Sequence, residues 1–335
     1  MKRRLEIGLD ASFMMTFDED YSLKYLVKAE EAGFDFLWLG DHILPWHDSF
    51  KHSFFVWSLL PAVASRTRHI RMGVDVTVPI GGRYHPAIIA QASATIDRIF
   101  PGRFCLGVGA GEAMNEARFM GYWPKWEERI DRLVEGIDLI RKLWESDDYF
   151  NFNGRYFKMA NVCLHPKPKT RIPIYFSAIG EKAAYVAGKH SDMLMTVGTV
   201  ERCERIIFPK FDDGVSSMGK DPNRTEKAIS IDGGVGMPSE ILKRIKKLSA
   251  GGSLREMFNE RDPRKIEKAG SGIPDEQILR DNYIRKSAGE LIEVFDKFHK
   301  IGATQVIWDD FSPSPDKIMN EFRTTIIPYF KEQAE

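Results

Sequence analysis

The sequence predicts an α/β fold: a (β/α)8 barrel with a β-hairpin and a helical insertion after the seventh strand. Three observations predict it. Short apolar runs alternate with amphipathic segments almost from end to end, as eight β-then-α units. One run, Trp38-Leu39-Gly40, delivers Asp41, His42, Pro45 and Trp46 at its C-terminal end, where a parallel barrel keeps its chemistry. Another ends in Gly107-Val108-Gly109-Ala110-Gly111-Glu112 and brings glycines and a carboxylate to the same end.

The elements follow in order. A strand over 5–9 leads to a helix over 22–32, which Gly33 stops. Strand 36–40 precedes helix 54–65. Strand 70–76 precedes helix 86–99, with Pro86 in its first turn. Strand 104–108 precedes helix 126–144. The run 150–159 reads as a β-hairpin turning at Asn153-Gly154. Strand 174–177 leads to helix 182–188, and strand 193–197 to helix 200–218. After strand 228–234, residues 238–272 are rich in Lys, Arg and Glu, which suits a helical insertion. A long segment at that place on a barrel is more often a lid than a linker. Helix 288–301 is stopped by Gly302. Strand 305–308 and helix 315–330 finish the chain, whose residues 1–335 are read as a single domain.

Bulk properties narrow the class. At 335 residues the chain is long enough for one large barrel or for two ordinary domains. It has 48 basic and 48 acidic residues, so no net field attracts nucleic acid or an anionic membrane. Cys105, Cys163 and Cys203 fit neither a disulfide framework nor a metal clip, and read as reduced thiols in the cytoplasm. No apolar run has membrane-spanning length, and the basic Met1-Lys2-Arg3-Arg4 start is a poor signal peptide.

Several residues could carry chemistry. The His42 imidazole suits a proton acceptor for an alcohol or carbonyl reaction; it could equally be a hydrogen-bonded turn residue. Asp41 could bind a ligand or orient the imidazole. Trp46 could wall a planar ring or fill core. Glu112 and Glu116 could serve a site or a helix N-terminus. Gly109 and Gly111 suit close backbone approach to a ligand, although the third glycine of a dinucleotide fingerprint is missing. Asp75, inside an apolar strand, is costly unless it is paired or reaches a site. Arg83 and His85 suit a helix start. The small residues around Ile179, Gly180 and Thr196 suit a phosphate, a ring edge or simple turns. The remaining histidines show no metal-ligand spacing, and Lys243, Arg244, Lys246 and Lys247 read as a solvated helix face.

Together these blocks resemble the luciferase-like flavin superfamily, and within it the dehydrogenases that use the deazaflavin coenzyme F420. The resemblance rests on Gly40-Asp41-His42 through Trp46, Arg83-Tyr84-x-Pro86-Ala87, Gly107 to Glu116, Leu143-Trp144 with the hairpin, and Thr196. Phe208-Pro209-Lys210-Phe211, Gly219-Lys220-Asp221-Pro222 and Asn282-Tyr283 are similar to the archaeal secondary-alcohol branch; the bacterial glucose-6-phosphate branch is the near relative. The resemblance implies a TIM barrel, usually a homodimer, with a non-proline cis peptide at Asp75-Val76. It places the base at His42, the ring-side indole at Trp46 and the acid at Glu112. It places cofactor contacts at Asp41, Asp75, Val76, Gly111, Asn115, Ile179, Gly180 and Thr196, with no metal. Hydride would pass between an alcohol carbon and F420 while His42 takes the hydroxyl proton. Thr199, Met257 and Asp281 stand where the sugar-phosphate enzymes hold phosphate with basic residues, so a sugar phosphate is not expected. Arg280 or Lys268 would substitute only in another register. Phe13-Met14-Met15 replaces a glutamate after the first strand, which suggests an adaptable apolar pocket. FMN monooxygenase, methylene-tetrahydromethanopterin reductase and a non-catalytic flavin-binding protein are the competing readings. The partners expected are a small-molecule substrate, with no nucleic acid and no membrane.

Overall fold

The computed structural model describes residues 3–10 and 18–332. Eight parallel strands close into a barrel: β1 (Glu6–Asp10), β2 (Phe36–Leu39), β3 (Arg71–Val74), β4 (Phe104–Val108), β5 (Ile174–Ser177), β6 (Met193–Val197), β7 (Glu226–Val235) and β8 (Gln305–Asp310). Each pairs with the next, and β8 pairs with β1, Glu6 lying opposite Gln305. This is the (β/α)8 TIM barrel expected from the strand-helix alternation.

Two apolar layers hold it together. The outer faces of the strands pack under the helices. The inner faces form a separate cluster of Phe36, Trp38, Cys105, Tyr175, Met195, Ala228 and Ile307. Trp38 fills the barrel centre, stacked on Phe36 at 5.8 Å and edge-on to Tyr175 at 4.9 Å. Its indole N–H donates to Gln305 Oε1 at 2.7 Å. Gly73 lies opposite Trp38 on the next strand, and a Cβ there would come within 2.2 Å of the indole. The largest interior side chain thus needs the smallest neighbour.

Four local expectations change. The hairpin strands are Phe150–Asn153 and Lys158–Val162, with Asn153 opposite Lys158, so Asn153-Gly154 is not a two-residue turn. The connection 154–157 is longer because Glu135 organises it, its carboxylate accepting from the N–H groups of Arg155, Tyr156 and Phe157. The helix expected over 200–218 is interrupted by a π turn, Cys203–Ile207, and the last helix by another, Phe322–Ile326. Pro209 and Pro328 each stand two residues beyond such a turn. A proline ring collides with the carbonyl four residues back, and a wider turn moves that carbonyl aside. An additional helix, Ala113–Met120, follows Glu112. Finally, β3 stops at Val74, so Asp75 sits just past the strand rather than inside it.

The insertion follows β7. Helices Pro238–Leu248 and Pro263–Ser271 flank two short 3₁₀ turns, Ala250–Ser253 and Arg255–Asn259. Helical structure runs past 272 through Asp275–Asp281, and Tyr283–Arg285 then pairs with the end of β7. Ile241, Ile245, Ala250, Ile273, Ile278 and Phe311 give the segment its own small core. Lys243 and Lys247 are exposed, whereas Lys246 pairs with Asp275.

Candidate active site at the barrel mouth

Beyond β2 the chain turns at Asp41, whose side chain is fully buried. Arg83 approaches its Oδ1 at 2.9 Å and the Tyr84 hydroxyl donates to the same oxygen at 3.0 Å. Trp57 Nε1 donates to Oδ2 at 3.2 Å. Both oxygens are therefore engaged within the protein, as a buried charge requires. Burial, then the Asp41 charge, pushes the Tyr84 hydroxyl well up, so it stays a donor. Arg83 is thus drawn to Asp41, while His85 caps helix Pro86–Ile99 by accepting from the Ala87 N–H.

Asn115 joins the two halves of the site. Its Oδ1 accepts from the backbone N–H groups of Ile43 at 3.1 Å and Leu44 at 3.4 Å. That fixes the amide's orientation, so Nδ2 must face the other way. There it lies 3.3 Å from Glu112 Oε2 and 3.1 Å from His42 Nδ1. Leu44 O is also within 3.3 Å of His42 Nδ1. An Nδ1 that accepts from Asn115 leaves the proton on Nε2, whereas an Nδ1 that carries the proton donates to the Leu44 carbonyl and leaves Nε2 bare, the state a base requires. Glu112 occupies the N-cap position of helix Ala113–Met120 but makes no capping bond, which leaves its carboxylate to the mouth.

The insertion closes over the same loop. Trp46 lies 5.6 Å from the His42 ring and 5.6 Å, edge-on, from Phe258 in the insertion. Gly252 backs onto the indole, where a Cβ would come within 3.1 Å. His47, which sequence reasoning passed over, is fully buried; its Nδ1 bonds the Lys247 carbonyl at 2.8 Å and its Nε2 accepts from the Gly251 N–H at 3.0 Å.

The peptide bond Asp75-Val76 is cis. Asp75 is one of several carboxylates at this end of the barrel. Asp10 lies opposite Asp309, and Asp309 opposite Asp232. Burial first, then the mutual repulsion of these groups, raises Asp75 and Asp309 well above the usual carboxylate range and Asp232 to about 7. The sequence signal that singled out Asp75 applies equally to Asp10, Asp232 and Asp309, each ending an apolar strand run. Glu116, which the sequence leaves open between a site and a helix start, is almost fully buried; it accepts from the Arg83 N–H at 2.9 Å, and burial raises it to about 7.

The glycines after β4 have a structural cause. A Cβ on Gly107 would meet Val74 O at 2.0 Å, and one on Gly109 would meet Val76 at 2.6 Å. Gly111 has a φ of +74° and no room beside Val78 and Glu116. Close approach to β3 and its extension, rather than to a ligand, requires the first two. On the next strands round the mouth, Thr196 is buried and donates to Ala178 O at 2.7 Å, and the Ile179 carbonyl accepts from Arg202. Gly180 precedes helix Glu181–His190, and a Cβ there would meet nothing within 4 Å.

A family model described as luciferase-like monooxygenase matches residues 9–305. The chain belongs to the luciferase-like family. It is 31% identical over 325 residues to the F420-dependent glucose-6-phosphate dehydrogenase of Segniliparus rotundus, covering 95% of each chain. It is 31% identical to the F420-dependent hydroxymycolic acid dehydrogenase of Mycobacterium tuberculosis, over 93% of this chain and 85% of that one. Among solved structures, an F420-dependent secondary alcohol dehydrogenase in complex with an F420-acetone adduct superposes with a TM-score of 0.90 at 33% identity, over 96% of this chain and 98% of that one.

In this luciferase-like chain the residues expected at the phosphate position have other partners. Thr199 accepts from the Arg202 N–H, Met257 sits in the insertion beside Phe258, and Asp281 pairs with Arg280. Arg280 and Lys268 are both exposed. Relatives named for glucose 6-phosphate nonetheless keep a sugar phosphate among the candidate substrates. Phe13, Met14 and Met15 lie outside the described residues.

Proposed function

We propose that this protein binds coenzyme F420 at the barrel mouth and transfers hydride between it and an alcohol or carbonyl compound. The observation that carries this reading is the Asn115 bridge, which brings His42 and Glu112 to one amide nitrogen. The residues fit the cofactor: Gly180, with empty space beside it, follows β5 at the end of the barrel that also carries an imidazole, an indole and a carboxylate. Bound there, the deazaflavin supplies the hydride donor or acceptor.

His42 Nε2 takes the substrate hydroxyl proton while Nδ1 donates to the Leu44 carbonyl, which steadies the imidazolium. Trp46 and the insertion exclude water above that nitrogen. Glu112, held by Asn115, stabilises developing positive charge and can hold a proton for the cofactor ring. Asp75, Val76, Gly111, Asn115, Ile179, Gly180 and Thr196 form the cofactor wall, and Asp41 contributes by anchoring the loop that carries His42. The relatives named for a secondary alcohol and for hydroxymycolic acid support a CH–OH substrate. A cytoplasmic homodimer acting on a small molecule completes the reading.

Titration of the purified protein with F420 and with FMN tests the cofactor, followed by turnover with alcohols and ketones. F420 should bind the more tightly, and His42→Ala should keep binding but lose roughly 10²-fold or more in turnover. Near wild-type turnover in that variant, or a preference for FMN, would sink the proposal.

A further inference from the structure

Two residues of the insertion grip the Trp46 indole. Phe258 meets it edge-on, with ring centres 5.6 Å apart and planes at 79°. Gly252 lies against its fused bond: a Cβ there would stand 3.1 Å from Cδ2 and 3.4 Å from Cε2 and Cε3, so a single methyl group would shift the ring. His42 is 5.6 Å from the same indole, inclined at 53°. The ring beside the proposed base is thus placed by a segment remote from it in sequence.

Phe258 is itself fixed from both sides. It belongs to the 3₁₀ turn Arg255–Asn259. On the far side, Trp123 Nε1 donates to Asn259 Oδ1 at 2.9 Å and Arg118 Nη2 donates to the Arg261 carbonyl at 2.8 Å. Arg118 stands in helix Ala113–Met120, the helix that carries Asn115. On the near side, His47 holds the Lys247 carbonyl and the Gly251 N–H, and Glu267 accepts from the Ser49 N–H at 3.0 Å. The turn is therefore moored both to the loop that carries His42 and to the helix that carries Asn115. A functional ring is held accurately when the groups packed on it are themselves locked by further contacts.

We propose that Phe258 is a positioning residue: its edge-on contact, with Gly252 beside it, fixes the Trp46 indole against His42. The inference rests on the function proposed above and adds to it the residue that sets the ring. An indole turns about its side-chain bonds, and without a partner across its edge it exchanges between rotamers. Hydride transfer requires the alcohol carbon and the cofactor to be held within a narrow range of distances. A loose wall therefore slows the step and leaves binding nearly unchanged. Phe258 moves no proton or hydride in this scheme; it acts through Trp46 alone.

A double-mutant cycle tests it, with propan-2-ol, or whichever alcohol of the turnover panel reacts faster, as substrate and F420 fluorescence as the signal. Phe258→Leu keeps an apolar side chain and removes the ring. It should lose roughly 10-fold in kcat, with KM and the F420 dissociation constant within about 2-fold of wild type. In a Trp46→Ala background the same substitution should cost nothing more, because the two residues act as one unit. A loss as large in that background as in the wild type would mean a loosened insertion and would overturn the inference. So would an unchanged kcat in Phe258→Leu, or an effect confined to KM. A second readout needs no turnover. The Cε1–H resonance of His42, identified by its absence in His42→Gln, is displaced by the ring current of the neighbouring indole. Phe258→Leu and Gly252→Ala should each move it, and neither should once Trp46 is replaced by alanine. A resonance that stays in place in both variants refutes the positioning role. If Phe258→Leu does not fold, Gly252→Ala carries both measurements. Failure of the wild type to turn over any alcohol or ketone with F420 refutes the proposed function, and the His42 resonance then decides the positioning role by itself.

Discussion

His47 accepts a hydrogen bond from the backbone N–H of Gly251, 204 positions further along the chain. That contact ties the loop carrying His42 to the insertion. With Nδ1 on the Lys247 carbonyl, the ring is held neutral, and burial lowers its pKa below the ordinary 6.5. A neutral group held so costs stability once protons are available: the unfolded state protonates first as the pH falls below 6.5, and the loss levels off below the folded value. The insertion should therefore open more readily in mild acid. The protection of the Gly251 amide against hydrogen exchange, corrected for the intrinsic rate at each pH, should fall between about pH 7 and pH 5, and His47→Ala should abolish that pH dependence while costing roughly 2 kcal/mol. An unchanged exchange profile would refute the strap.

Removing the Asp41 carboxylate should be among the most damaging changes near the site. Arg83 would keep a buried guanidinium without its counter-charge. Asp41→Ala should lose roughly 3–5 kcal/mol in urea unfolding. A loss below about 1 kcal/mol would show that the pair is dispensable.

Glu116 predicts a pH slope of defined sign. Its folded pKa of about 7 lies above the ordinary 4.5, so the fold favours the protonated acid. Wild-type protein should lose stability as the pH rises from about 4.5 to about 7, by about 3 kcal/mol in all. Glu116→Gln keeps an acceptor for the Arg83 N–H and should flatten that slope. Parallel unfolding curves for both proteins across the range would contradict the assignment.

Asn115→Asp separates loop anchoring from charge control. The carboxylate still accepts from the Ile43 and Leu44 N–H groups, but it cannot donate to Glu112 and adds a like charge beside it. The melting temperature should change little, while turnover falls roughly 10²-fold. Turnover close to wild type would mean that the bridge is bystander geometry.

Most of the barrel could be read from the sequence because local signals and tertiary structure agree there. β4, β5 and β6 occupy the expected residues, each an apolar run closed by glycine or a turn. The helices over 200–217 and 315–332 were legible as helices, but their π turns were not, because a periodicity of 3.6 averages over one wide turn. In the site, His42, Trp46 and Glu112 were visible as residue types at strand ends, and the Asp75-Val76 cis bond lies where family resemblance puts it. What joins them was hidden. Asn115 bridges residues 73 positions apart, and His47 reaches the insertion through backbone atoms that have no sequence identity of their own. Glu116 looked like an ordinary first-turn acid because burial is a tertiary property.

Two neighbouring stretches of the mouth, after β4 and β5, differ in how much alteration they can absorb. At Gly111 any side chain collides with Val78 and Glu116, and at Gly107 with the neighbouring backbone. At Gly180 the φ of −116° is ordinary for any residue and the space beside it is empty. Selectivity can therefore be rewritten from one of them only. A library randomised at Gly180 should yield folded members with new preferences, whereas one randomised at Gly111 should yield mostly insoluble chains, which makes the glycine nearest Glu112 a frozen position and its counterpart an adjustable one.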